Sequence, residues 1–414
     1  MIKNIAQLLL IRRNHRRFLI CVSFLIALMS GSRFCSADPS DLPDASTTSA
    51  AAPAQTDLPT AAPAPASKPT IVLPSALSHL LIDGALDLRF RNSNSGLTNS
   101  PYVQSVELDL QEPLDYHQVQ QGSVFVQMFG ENPPDVIHKY GIKEFAVGEA
   151  YVSYRLPVMT DTDSTAYVKV GQFPLPVGLM ATYDTHQEIL QSLYPEGLGE
   201  RTDWGASIDG RFYGVLDYNF AVTAGTGPGN IYVIPDRVVS FRLGRLFLTQ
   251  YGDFNVGGSL LGGRLPVTEV DPTTGFAPML PPSGKVTPKY GYEEKSRIIG
   301  DGQWTFRNMT ARGEAMFGTD TNTRVLGSFV ESEYTFAPGL AAVFANTYWN
   351  YGRGDSTSSD ISGGLNISYG RDVVVRTLYE FQRDVIANYS SLTSPLASSV
   401  NRRQIFTVQF LLRF

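Results

Sequence analysis

Cysteine is nearly absent from the 414 residues, and the two present, Cys21 and Cys35, both sit close to the N-terminus. The rest of the chain therefore holds no disulfide framework and no cysteine-based metal site. Charged residues make up only 17%. Even so, no stretch beyond the N-terminus stays apolar for the roughly 20 residues that a membrane helix requires. Histidines are few: His15 lies in the N-terminal segment, and beyond it His79, His117, His138 and His186 fall on separate segments without H-x-x-x-H spacing, so a zinc site has no support. The glycine-rich stretches at 225–229 and Gly257-Gly258 lack the lysine and following helix of a phosphate cradle. Acidic residues outnumber basic ones, 39 to 33, which disfavours a nucleic-acid partner that needs a basic face.

What the sequence does contain is ordered from the start. Lys3, Arg12, Arg13, Arg16 and Arg17 precede an apolar run from Phe18 to Met29, and no Asp or Glu occurs before residue 38. A basic start, a short apolar core and small residues near Cys35-Ser36-Ala37 read as a secretory signal peptide over 1–37. Its removal takes Lys3, Arg33 and four further arginines with it, leaving the exported chain more acidic than the formal net charge of -6. Residues 38–75 follow as an Ala, Pro, Ser and Thr tract that buries too little apolar surface to offset its ordering entropy. It reads as a disordered linker, either a plain leader or a tether to the cell wall.

From residue 76 to Phe414 one pattern repeats: alternating apolar and polar residues, then a turn or loop. Phe406, Val408, Phe410, Leu412 and Phe414 share one face of the last segment; Thr407, Gln409, Leu411 and Arg413 share the other. A side-chain period of two makes this a strand with one fatty and one mostly wet face. Sixteen such strands are expected, with the third starting at about 121 after a long turn over 112–120. From strand four onward, short turns follow even-numbered strands, and most odd-numbered strands lead into long loops such as 174–202 and 265–293. A sandwich has no reason to sort its loops by parity. The reading is all-β: a transmembrane antiparallel up-and-down barrel of about 16 strands, whose even count lets the last strand close on the first.

Two motifs carry a resemblance. The terminal strand ending in Phe414 resembles the signal by which bacterial outer-membrane barrels meet their assembly machinery. The stretch Gly171-Gln172-Phe173-Pro174-Leu175-Pro176-Val177-Gly178, with Arg201-Thr202-Asp203-Trp204-Gly205 after a long loop, is similar to an element of the phosphate-selective porin O/P family. That resemblance implies a trimeric sixteen-stranded porin in the outer membrane, in contact with lipid and lipopolysaccharide, with the loop after strand five folded into the pore. Such a channel passes small hydrophilic solutes or ions without a cofactor. The lysine ladder of phosphate-selective members is missing: of eight lysines, only Lys169 falls on a face read as lumenal, so phosphate specificity does not carry over.

Selectivity in such a pore comes from lumenal charge and the narrowest loop. Alternation places Arg89, Arg91, Arg155, Lys169, Arg211, Arg242, Arg297, Arg307, Arg312, Arg376 and Arg413 inward. Asp87, Glu107, Asp109, Glu149, Asp209, Asp217, Asp301, Glu314, Glu331, Glu333 and Glu380 are placed inward as well, giving a charge-balanced wall. Arg245 falls on the apolar face, which puts it at an interface or strand eight out of register. The loop 174–202 carries Asp184, Glu188, Glu196 and Glu200. Folded inward, these acids would face lumenal arginines across a constriction; left outside, they would solvate an external loop. Two other functions stay open: a barrel enzyme acting on lipid, with His186 and Ser192 as its weak candidate dyad, and a cell-wall-tethered structural barrel.

Overall fold

In the computed structural model the described residues are 80–93, 101–116, 119–131, 144–156, 164–182, 193, 197–198, 202–226, 237–266, 292–352, 357–370, 372–386 and 399–414. The signal and linker segments read from the sequence lie outside them. The described residues form sixteen strands. These are β1 (Leu81–Ser93), β2 (Pro101–Tyr116), β3 (Val119–Glu131), β4 (Glu144–Arg155), β5 (Thr165–Pro174), β6 (Thr202–Phe212), β7 (Leu216–Thr223) and β8 (Val238–Thr249). They continue as β9 (Gly252–Pro266), β10 (Tyr292–Phe306), β11 (Met309–Asp320), β12 (Thr323–Ala337), β13 (Leu340–Asn350), β14 (Thr357–Tyr369), β15 (Val373–Ile386) and β16 (Ser399–Arg413). Each strand pairs antiparallel with its sequence neighbours, and β1 pairs β16, so the sheet is a closed barrel without a free edge.

The two faces of the sheet are chemically inverted relative to a soluble barrel. On β8, Val239, Phe241 and Leu243 point outward and are exposed, while Ser240 and Arg242 point inward and are buried. Register carries this alternation around the ring, and on β16 the exposed Phe406, Phe410 and Leu412 alternate with the buried Thr407, Gln409 and Leu411. An apolar outside with a polar inside is stable where the outer solvent is hydrocarbon. At the short-turn end Tyr213, Tyr251, Phe336, Tyr369 and Phe414 stand exposed. They make the kind of aromatic girdle that settles at a membrane–water interface.

Arg245 resolves in favour of the interface. It opposes Leu216, the first residue of β7, and Val256 on β9, so the register of β8 holds. Its guanidinium sits 4.8 Å from the ring centroid of Phe247 on the same outward face. A long cation near the strand end reaches the headgroup layer while its stem covers apolar surface.

The turn expected over 112–120 is a correction. β2 runs on to Tyr116 and β3 begins at Val119, with Pro113 opposite Ser123 inside the ladder. The connection is as short as most of the other turns at that end, the one between β4 and β5 being longer.

Candidate functional site

Inward-facing side chains build the site. Because directly paired residues share a face, the register fixes which they are. Arg89, Arg91, Arg155, Lys169, Arg211, Arg242, Arg297, Arg312, Arg376 and Arg413 occupy lumen-facing positions, as do all the acids that alternation assigned there. Arg307 is the exception. It lies in the turn between β10 and β11 with φ 53, and its guanidinium stands over the outward Phe306 ring, 4.9 Å from the centroid. The strand ends one residue earlier than alternation took it, so Arg307 leaves the wall.

Several inward charges escaped the sequence reading. Lys295 faces the lumen with Arg297, since both share the parity of Asp301, and this corrects the view that Lys169 stands alone. Asp320, Glu293, Asp384 and Arg403 are also inward. So are Asp83, Asp203, Asp253 and Asp360. Some of these lie where a strand extends past the boundary that alternation suggests; the others share the inward parity within those boundaries.

Many lumenal charges are tied in pairs. Arg242 holds Asp301 at 2.5 Å, Arg211 holds Asp217 at 2.6 Å, and Arg89 holds Asp87 at 2.8 Å. Arg297 pairs with Asp320 and Arg312 with Glu331. At the closing seam Arg376 donates to Gln409 at 3.1 Å, and Gln409 donates to Asp87 at 2.7 Å, linking β15, β16 and β1 through polar groups alone. Lys169 lies 4.7 Å from the Tyr151 ring centroid and 5.8 Å from that of Phe173. Around β1–β4 the pattern differs: Glu107, Asp109 and Glu149 gather about Gln127, which donates to Glu107 at 2.7 Å. At the short-turn end a pocket of about 710 Å³ opens between Glu333, Asn366, Arg376 and Arg413.

One part of the lumen is apolar, and the chain itself covers it. After β5 the backbone turns inward through Leu175 and Val177 into a 3-10 turn, Gly178–Ala181. Leu175, Val177 and Leu179, with Leu193 and Leu198 further along, pack on Leu261, Ile299, Met316, Phe329 and Trp349 of β9–β13. Those wall residues share the inward face of Arg297 and Glu331. Three hydrogen bonds fasten the same segment: Gly178 N–H to Ser259 Oγ at 3.0 Å, Leu179 N–H to Glu314 Oε2 at 2.7 Å, and Arg297 Nε to the Gly197 carbonyl at 2.9 Å.

The motif residues around β5 acquire physical reasons here. Gly178 has φ +57, and a Cβ there would strike the Glu314 carboxylate, so glycine is needed twice over. Gln172 is buried and donates to the carbonyls of Val147 and Gly148, at 2.9 and 2.6 Å, where β4 bulges against β3. Asp184, Glu188, Glu196 and Glu200, and the pair His186 and Ser192, lie outside the described residues.

No family model matches the chain, and no curated protein matches it by sequence. Solved structures do. An anion-selective porin from Comamonas acidovorans superposes with a TM-score of 0.54 at 10% identity, over 81% of this chain and 99% of that one. OmpF of Salmonella typhi, in complex with daunomycin, gives 0.53 at 11% identity over 81% and 97%. OprB of Pseudomonas putida gives 0.53 at 8% identity over 80% and 93%. These likenesses are of fold.

Proposed function

We propose that the chain is a bacterial outer-membrane porin through which small hydrophilic solutes or ions diffuse passively. One observation carries this reading: a closed barrel with an apolar exterior holds a charged interior, and the chain's own segment after β5 is fastened onto the inner wall. An interior filled for stability alone would be dry and uncharged. A wall of charges is sustained by water, and a segment fixed across part of it narrows the water path without closing it.

The constriction follows from where the segment docks. It covers the inner face of β9–β13, and in a closed ring of sixteen strands β1–β5 lie across from that wall. Arg89, Arg91, Arg155 and Lys169 therefore stand opposite the docked part of the segment, Leu175 to Leu179. The proposal sets Asp184, Glu188, Glu196 and Glu200, which lie outside the described residues, across from them. Where those cations face the loop acids at the narrowest point, the field across it orders water and disfavours apolar solutes. The wall beside them, with Asp83, Asp87, Glu107, Asp109 and Glu149, is acidic on balance. The resemblance of 171–178 to phosphate-selective porins bears on the shape of this inward turn, not on the solute. A trimer is in keeping with the reading, as OmpT of Vibrio cholerae, a fold neighbour, has a trimer form.

Planar-bilayer recording of the folded, detergent-purified protein tests the function. Stepwise conductance is expected, and well-folded protein that never conducts would remove the claim. Deleting 184–200 should raise the single-channel conductance, and an unchanged value would place that loop outside the current path.

A further inference from the structure

We infer that Arg383 and Arg402, on the outer surface of the barrel, hold a phosphate of an anionic glycolipid in the outer leaflet. The inference rests on the outer-membrane reading above and assigns a specific site to a glycolipid contact that the resemblance implied only in general.

The two arginines are direct partners across the β15–β16 ladder. Arg383 shares the face of the exposed Tyr379 and Phe381, and Arg402 that of the exposed Phe406, so both project outward rather than into the lumen. Both are exposed themselves. Directly opposed side chains in such a ladder have Cβ atoms about 4.5–5.5 Å apart, and like charges at that spacing repel. Two other outward arginines have company, Arg264 opposite Glu294 and Arg245 over Phe247, while Arg324 opposes Thr319 and faces no second cation across its ladder. Arg383 and Arg402 have none among the described residues, since neither guanidinium makes an ion pair or hydrogen bond with one. No outward position on β14, β15, β16 or β1 carries a carboxylate. Asp384, adjacent in sequence, alternates to the lumen and accepts the Ser358 hydroxyl at 2.6 Å.

Position identifies the missing counter-charge. The pair lies at the long-loop end of its strands, just beyond Tyr379, Phe381 and Phe406. Exposed aromatics mark the edge of the hydrocarbon, and the next outward residues meet the headgroups. A phosphate there meets two guanidiniums, each able to donate in a fork, while its acyl chains lie along the aromatic and aliphatic surface below. A soluble anion would gain only the first of these contacts.

Native mass spectrometry of the full-length barrel, refolded free of lipid in detergent, tests this with bis-phosphorylated lipid A as the probe. Wild-type protein should retain the lipid, and Arg383→Gln/Arg402→Gln should bind it about thirtyfold more weakly, as expected for two cations at a membrane surface. Arg383→Lys/Arg402→Lys should keep most of the affinity, which separates loss of charge from loss of fold. The same glycolipid without phosphates should bind both proteins equally weakly. Equal lipid A binding by wild type and the glutamine variant would overturn the assignment. So would binding of inorganic phosphate as tight as that of lipid A, or loss of a subunit contact in place of lipid. Single-channel conductance, recorded on the same preparations, should not change, because neither side chain faces the pore. Missing conductance in every preparation would count against the porin and leave the lipid result standing.

Discussion

Arg242 is a cation that the fold has taken almost out of water, 3% exposed, and its charge is met by Asp301 through both Nε, at 3.2 Å, and Nη2, at 2.5 Å. Removing one partner of such a pair leaves the other buried and unmatched, which costs more than the pair contributes. Arg242→Met should destabilise the barrel by about 3 kcal/mol, and adding Asp301→Asn should recover most of the loss. Urea unfolding in detergent measures both, and an unaffected single variant would mean that lumenal water already screens Asp301. Glu314 illustrates a different residue-scale role, because its carboxylate is the acceptor for the Leu179 amide. Glu314→Ala strands that amide at a cost of about 1–3 kcal/mol, whereas Glu314→Gln keeps an acceptor oxygen. The alanine variant should show noisier single-channel current than the glutamine one, and equal noise would mean that Glu314 does not steady the segment after β5.

At the scale of the element, that segment is a small apolar core inside a polar tube. Leu193 and Leu198 are fully buried, and each Leu-to-small change at such a site costs about 2–5 kcal/mol. The barrel ladder does not depend on them, so the loss falls on docking rather than on folding. Leu193→Ser/Leu198→Ser should keep the heat-modifiable mobility of a folded barrel while its conductance becomes larger and fluctuates. A variant indistinguishable from wild type would show the hydrogen bonds at Gly178 and Leu179 to be sufficient anchors. This core also marks where sequence reading stops. Period-two alternation found the faces of β15 and β16 because neighbours along one strand report on each other. It did not single out Ile299, Met316 and Trp349, whose apolar side chains face inward against a loop distant in sequence. Nor did it carry β2 through Pro113, since proline normally ends a ladder. At 113 the ring lacks only a donor, and the strand continues past it. The strand count and eleven of the inward acids were legible, and the inward turn after strand five came only as what the resemblance implies. The seven further inward acids and the apolar wall residues on which the segment docks were not legible.

For the whole molecule, read as the proposed channel, the decisive quantity is the charge of the wall that permeating ions would meet. Alternation alone balanced it. The register removes Arg307 from the lumen and adds Asp83, Asp203, Asp253, Glu293, Asp320, Asp360 and Asp384 against only Lys295 and Arg403. Several of these are neutralised locally: Asp203 accepts the backbone amides of Gly225 and Thr226, Arg297 takes Asp320, and Lys295 approaches Glu293 at 3.6 Å. Acid concentrates on one stretch of the ring, where Asp83 stands opposite Asp109 on the β1–β2 wall and Glu107 and Glu149 lie beside them. Ions passing that wall meet net negative potential, and a narrow water path surrounded by low-dielectric protein focuses it. The channel should therefore prefer cations over anions modestly, unlike the anion-selective porin whose fold it resembles. In a potassium chloride gradient the reversal potential should take the sign of cation preference, and it should shrink as salt screens the wall. Replacing Glu107 and Asp109 by Gln and Asn should move it towards zero. A reversal potential of the opposite sign in wild-type protein would mean that Arg89, Arg91 and Lys169, not the acids of β1–β4, command the narrowest point.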